Sequence, residues 1–192
     1  LVRRAAVPVL LIRPKDQVLD WARTAAARHV LIPLDGSELA EGILQPALEL
    51  ARLNHARITL LRVVLPVPFV LGPHSSGPSF NEAGAAQSRE NAARYLDQVA
   101  ARIRAQGLQV GIDTVFHTSP ALGILDYAAT HAVDTITMAT HGRGGWSRVA
   151  LGSVADKVMR GTMMPVLLFR PGISRKATDP ADVQEEEPCG AQ

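Results

Sequence analysis

The residues best placed to do chemistry fall in two short stretches. One, 136–171, is ITMATHGRGGWSRVALGSVADKVMRGTMMPVLLFRP. It reads as a buried strand, a glycine-rich loop, a helix with Gly152-Ser153 at its start, and a second buried strand. A loop that opens onto a helix N-terminus is suited to holding phosphate. The first N–H groups of the helix have no partners within it, and the helix dipole favours negative charge. The other stretch is Asp35-Gly36-Ser37, a tight turn directly after the apolar run HVLIPL at 29–34. A carboxylate there can accept hydrogen bonds from sugar hydroxyls or assist a metal. It can equally serve as an Asx turn or a helix cap.

Other chemistry lacks its residues. The chain has no G-x4-G-K-[ST] loop, no G-x-G-x-x-G after its first strand and no Cys–His pair. No general base stands beside an evident nucleophile. His29, His55, His74, His117 and His131 show no metal-ligand spacing, so no metal site is assigned.

The elements that must position the two stretches alternate in type. Strands are expected at 29–34, 57–64 (RITLLRVV), 109–116, 133–139 and 165–170. After the Asp35 turn a helix should run to about Arg52, with Ile43, Leu44, Ala47, Leu50 and Ala51 on its apolar face. Pro46 inside it should bend it or delay its regular start. Residues 65–84, with Pro66, Pro68, Pro73 and Pro78, read as a long mobile loop. A long helix follows to Ala105, with Ala92, Leu96, Val99, Ala100 and Ile103 inward and Gly107 as its C-cap. Ser119-Pro120 starts the next helix as N-cap and N1, with Ala121, Ile124, Leu125 and Ala128 inward. The last helix, about 152–161, turns Val154, Ala155, Val158 and Met159 to the core. The order β-α-β-α-β-α-β-α-β implies a doubly wound α/β domain: a five-stranded parallel sheet with helices on both faces. Its ligand belongs beyond the carboxyl ends of the strands, where strand order reverses.

Composition fits that class. Hydrophobic residues make up 47% of the chain and no apolar run approaches a membrane span. The formal net charge is +2 and aromatics are 4%, with no Lys/Arg-rich block. Stacking platforms and basic stripes are both missing, which argues against nucleic acid as the main partner. The one cysteine, Cys189, has no partner, which fits a reducing compartment and a cytoplasmic protein.

The chain also repeats itself. With an offset of 157 residues, Arg3 falls on Arg160, Pro8 on Pro165, Val9 on Val166, Leu10 and Leu11 on Leu167 and Leu168, and Arg13 and Pro14 on Arg170 and Pro171. The expected organisation is therefore the C-terminal remnant of a preceding domain at 1–14, a linker at 15–28, a complete domain at 29–171 and a disordered acidic tail at 172–192. The last strand, 165–170, should lie at a sheet edge, where the similar strand 7–13 could pair with it.

Strand, Pro33-x-Asp35-Gly36-Ser37, then Thr140-His141-Gly142, nine residues, Gly152-Ser153, helix and Pro165-Val-Leu-Leu together resemble a universal stress protein domain over about 29–171. The resemblance implies an adenine nucleotide alpha hydrolase-like fold with strand order 3-2-1-4-5. The Asp35 turn and the glycine-rich loop would then face one another across one crevice. It implies ATP as ligand, with or without Mg2+. The motif Gly-x2-Gly-x9-Gly-Ser/Thr of ATP-binding members falls on Ala139, Gly142, Gly152 and Ser153, so alanine stands where the first glycine is expected. One methyl could crowd a close backbone approach to the ligand.

By the same resemblance Asp35 lies near adenine and ribose, and Pro33 and Val63 line the adenine slot, Val63 through its backbone. Gly142 lets the loop approach the phosphates, and Gly152, Ser153 and Val154 meet them at the helix start. Arg143 and Arg148 could pair with the β- and γ-phosphates or be solvated charges. The resemblance also implies a second domain of the same kind as partner, through the edge strand, in a homodimer or an intramolecular pseudo-dimer. The function expected is an ATP-binding regulatory or sensor module in the stress response. The alternatives are a nucleotide-free scaffold of the same fold and a slow ATPase.

Overall fold

The elements run in chain order β1 (Val9–Leu11), β2 (His29–Pro33), α1 (Glu38–Glu41), α2 (Leu44–Asn54), β3 (Arg57–Val64), β4 (Pro68–Phe69), β5 (Ser79–Phe80), α3 (Glu82–Arg104), β6 (Val110–Phe116), α4 (Pro120–Thr130), β7 (Thr135–Ala139), α5 (Ser153–Gly161) and β8 (Val166–Phe169). They belong to a computed structural model that describes residues 7–13, 27–66, 68–69, 79–80, 82–140 and 152–170.

The main sheet has the order β1-β8-β7-β2-β3-β6. Strands β2, β3, β6, β7 and β8 are mutually parallel. This corrects the expected five strands to six. The sixth is β1, which lies antiparallel on β8 with Val9 opposite Leu168, Leu10 opposite Leu167 and Leu11 opposite Val166.

The central strands are buried on both faces, which is why they read as continuous apolar runs. On one face Val30, Ile32, Ile58 and Leu60 meet Ile43, Ala47 and Leu48 of the first helical segment and Leu96, Val99 and Ile103 of α3. On the other, Leu31, Leu61, Ile136 and Leu168 meet Ala121, Ile124 and Tyr127 of α4 and Ala155 and Val158 of α5.

Four local expectations are modified. The first helix is split: α1 ends at Glu41, and α2 starts at Leu44. Pro46 therefore occupies the first turn of α2, where its missing N–H leaves no bond unmade. The 65–84 stretch holds a small antiparallel ladder, Pro68 opposite Phe80 and Phe69 opposite Ser79, and α3 begins within it at Glu82. Ser119 sits at the N-cap of α4 without a side-chain cap bond. Ala27 and Arg28, expected in the linker, belong to the folded body. Ala27 is buried, the Arg28 N–H donates to the Asp134 carboxylate at 2.9 Å, and the Arg28 carbonyl accepts from the Arg57 N–H at 3.0 Å. Gly107 follows α3 as expected, at φ 79°, a left-handed conformation that favours glycine. Residues 1–6, 14–26 and 171–192, with half of the remnant, nearly all of the linker and the whole tail, lie outside the described residues.

Candidate functional site

From β2 the chain passes along one face of the sheet to β3 on one side. It enters β7, on the other side of β2, from α4 on the opposite face. The loops leaving β2 and β7 therefore diverge and open a crevice beyond their carboxyl ends. α1 packs against β7 across it.

On the β2 side, Leu34 continues the ladder by one bond, its N–H donating to the Leu61 carbonyl at 2.9 Å. Gly36 then takes φ 79°, which lets the chain turn sharply. One oxygen of the Asp35 carboxylate accepts from the Ser37 N–H at 2.9 Å and from the Ser37 hydroxyl at 2.5 Å. The Ser37 oxygen in turn accepts from the Ala40 N–H at 3.1 Å and caps α1. Asp35 thus makes an Asx turn, which uses one carboxylate oxygen twice.

On the β7 side, Thr140 donates its N–H to the Phe169 carbonyl at 2.8 Å, and its own carbonyl accepts from Gly152 at 2.6 Å. The loop is thereby closed at its base, and the Gly152 N–H is used in closing it. The first bond within α5 runs from the Asp156 N–H to the Gly152 carbonyl at 2.9 Å. The N–H groups of Ser153, Val154 and Ala155 consequently have no acceptor inside the helix. Ser153 is exposed, and Val154 is half-buried against the core formed by α4 and α5.

Ala139 ends β7 opposite Phe169 and is buried in the same cluster as Leu34, Ala40 and Ile43. Its methyl is accommodated by core packing. Pro33, half-buried, lies opposite Leu61. Val63 lies opposite Val115 and packs on the α4 side. The structure thus gathers Pro33, Asp35, Val63, Ala139, Gly152, Ser153 and Val154 at the carboxyl ends of three adjacent strands. Gly142 and Arg143, like His141 and Arg148, lie outside the described residues.

Sequence reasoning missed a polar group beside the Asp35 turn. Arg62 donates to the Leu34 carbonyl at 3.2 Å, and its guanidinium lies 5.9 Å from the centre of the Tyr95 ring. The Tyr95 hydroxyl donates to Glu41 at 3.0 Å, and Arg102 pairs with the other Glu41 oxygen at 2.6 Å. Burial above all, and then the bond to Glu41, pushes the Tyr95 phenol well above its ordinary range, so it remains a donor. A signal existed: Arg62 shares the face of Ile58 and Leu60 by strand alternation, and a charge on that face calls for a partner.

Among the described residues no group of three or more His, Cys, Asp or Glu could hold a metal ion. Among the same residues no helix is long and apolar enough to cross a membrane.

The model of the universal stress protein family matches residues 26–170. The chain belongs to that family. It is 28% identical over 144 residues to Universal stress protein MJ0531 of Methanocaldococcus jannaschii, covering 74% of this chain and 82% of that one. A universal stress protein of Mycolicibacterium smegmatis is 27% identical over 177 residues, spanning 89% of this chain but 54% of its own length. Among solved structures, a universal stress protein in complex with cAMP has a TM-score of 0.54 at 18% identity and covers 76% of this chain and 98% of its own. At that identity it shows the shared α/β fold.

Proposed function

We propose that this universal stress protein domain binds ATP, with Mg2+ carried on the phosphates, in the crevice beyond β2 and β7, and that occupancy regulates its interactions in the stress response. The observation that carries this reading is the closure of the β7–α5 loop. Gly152 anchors the loop base to Thr140, and the next N–H groups, of Ser153 and Val154, are left without helical acceptors, beside the turn that presents Asp35. Pro33, Asp35 and Val63 then hold the adenosine part. Ala139, Gly142, Arg143, Gly152, Ser153 and Val154 surround the phosphates. The adenine nucleotide alpha hydrolase-like arrangement suits that division of labour, and the cAMP complex of a relative supports an adenine nucleotide as the ligand class.

The experiment is calorimetric titration with Mg-ATP of the parent chain and of Gly152→Val. Gly152 sits at φ −56° and ψ 142°, which valine adopts without strain, so the variant adds bulk at the phosphates and leaves the helix start intact. We expect saturable binding by the parent, a raised melting temperature with ATP, and at least a tenfold loss in the variant. Ala139 in place of glycine favours a second reading, a nucleotide-free interaction domain. Absence of both binding and thermal shift in the parent chain would overturn the ATP reading and leave the second one standing.

We also propose that residues 1–14 close a preceding domain of the same kind. The internal repeat supports this, as does the M. smegmatis relative that the chain spans by only 54%.

A further inference from the structure

Two groups bracket the turn that carries Asp35, and they touch each other. At its start both backbone polar groups of Leu34 are fixed from β3: the N–H by the Leu61 carbonyl at 2.9 Å and the carbonyl by the Arg62 guanidinium at 3.2 Å. At its end Glu41, the last residue of α1, is held by the Tyr95 hydroxyl at 3.0 Å and by Arg102 at 2.6 Å. Arg62 and Tyr95 then meet, guanidinium over ring at 5.9 Å. Inside this frame every polar step is hydrogen-bonded: Asp35 to Ser37, and Ser37 to Ala40. The Asp35 carboxylate is held locally by Ser37, and the turn that carries both residues is fixed at its two ends from β3 and α3.

We infer that Arg62 is the positioning residue for Asp35, and that through this carboxylate it sets selectivity for the ribose hydroxyls of the bound nucleotide. Arg62 suits the task because its planar fork can hold a carbonyl while its face lies against an aromatic ring, two contacts that a flexible ammonium does not make together. Arg62 is half-buried and Tyr95 is half-buried above it, so water is partly excluded from the contact. Methionine in place of Arg62 keeps the packing stem but releases the Leu34 carbonyl. The turn loses the bond that fixes where Asp35 begins.

The inference rests on the nucleotide reading above, and the test separates the two. Affinities for ATP and 2′-deoxy-ATP are measured by calorimetry on the parent chain, Arg62→Met and Arg62→Lys, with melting temperatures alongside. In the parent we expect ATP to bind about tenfold or more tightly than the deoxy form, the effect of one hydrogen bond to a charged acceptor. In Arg62→Met the ratio should fall to about one, with 2′-deoxy-ATP bound nearly as well as by the parent, and Arg62→Lys should recover only part of the ratio. A merely structural role would lower the melting temperature and weaken both nucleotides alike, leaving the ratio intact, and that result overturns the inference. A parent that binds both nucleotides equally overturns it too, because Asp35 then takes no 2′-hydroxyl. A parent that binds neither removes the nucleotide reading itself.

Discussion

His29 shows how a single side chain can tie the base of the sheet together. It is buried, with Nδ1 3.1 Å from the His131 carbonyl and 3.3 Å from that of Ala132, and Nε2 2.8 Å from the Thr59 hydroxyl. In a neutral ring one nitrogen donates and the other accepts, so Nδ1 is shared between the two carbonyls and the Arg57 guanidinium, while Nε2 meets the Thr59 hydroxyl. Burial first, and then the Arg57 guanidinium 3.0 Å from Nδ1, holds its pKa below the usual histidine value. The unfolded chain titrates near ~6.5, so protonation favours unfolding. The contribution of His29 is complete above about pH 6.5 and is lost as the pH falls through the lower folded value, by at most about 1.4 kcal/mol per pH unit. Melting curves of the parent and His29→Gln between pH 8 and pH 5 should therefore converge as the pH falls. Parallel curves would show that the ring does not titrate in this way. None of this was legible in the sequence, where six scattered histidines give no hint of which one is buried. For Arg62 the sequence shows a charge on the buried face of β3 but not its partner, because Tyr95 lies on a separate element. Asp35-Gly36-Ser37 was legible because its turn chemistry is local.

At the scale of elements, the strands were legible because burial on both faces leaves them almost wholly apolar. The starts of α4 and α5 were legible in Ser119-Pro120 and Gly152-Ser153, while that of α3 was placed late because its first turns are polar and periodicity says little there. Nor did periodicity show how closely α4 packs at its N-terminal half. Gly123 is buried there, and a Cβ added to it would lie 2.9 Å from the His117 Cβ and 3.0 Å from the Val63 Cγ1. The His117 Cβ is fixed to the main chain and cannot swing away. Alanine would gain about 1 kcal/mol of helix propensity but meet an overpacking penalty of about 1–3 kcal/mol, so Gly123→Ala should be net destabilising. Gly161→Ala provides the contrast. There the nearest atom, at 2.5 Å, is the Leu125 Cδ1, the far end of a side chain that can rotate. Urea denaturation should show a clear loss of stability for Gly123→Ala and a change within about 0.5 kcal/mol for Gly161→Ala. Equal effects would mean that α4 shifts easily over β3. Because Val63 is a proposed wall of the adenine slot, Gly123→Ala should weaken nucleotide binding as well.

At the scale of the whole molecule, alternation of elements was enough to reach a doubly wound parallel sheet, while its sixth strand follows from the internal repeat. The pairing of that strand has a property that the repeat makes visible. Leu10 and Leu167 are equivalent under the offset of 157 residues, and they lie opposite one another. Val9 faces Leu168, the equivalent of Leu11, and Leu11 faces Val166, the equivalent of Val9. The register is thus that of two like strands about a local two-fold axis, the form a self-complementary interface takes. Arg13 adds a clasp, donating to the Met159 carbonyl at 2.8 Å at the end of α5, where a cation is favoured by the helix dipole. Removing residues 1–14 uncovers the β8 edge, whose Val166, Leu167 and Leu168 are buried in the paired state. An open apolar edge recruits a strand, and the strand that fits this one is a second copy of itself. The 192-residue chain should run as a monomer in sedimentation analysis, and the chain lacking residues 1–14 should form a concentration-dependent dimer with a lower melting temperature at high dilution. A shortened chain that stays monomeric and equally stable would show that β1 merely rests on the edge. A dimer that disappears on Leu167→Glu, with the fold retained, would locate the new contact on β8.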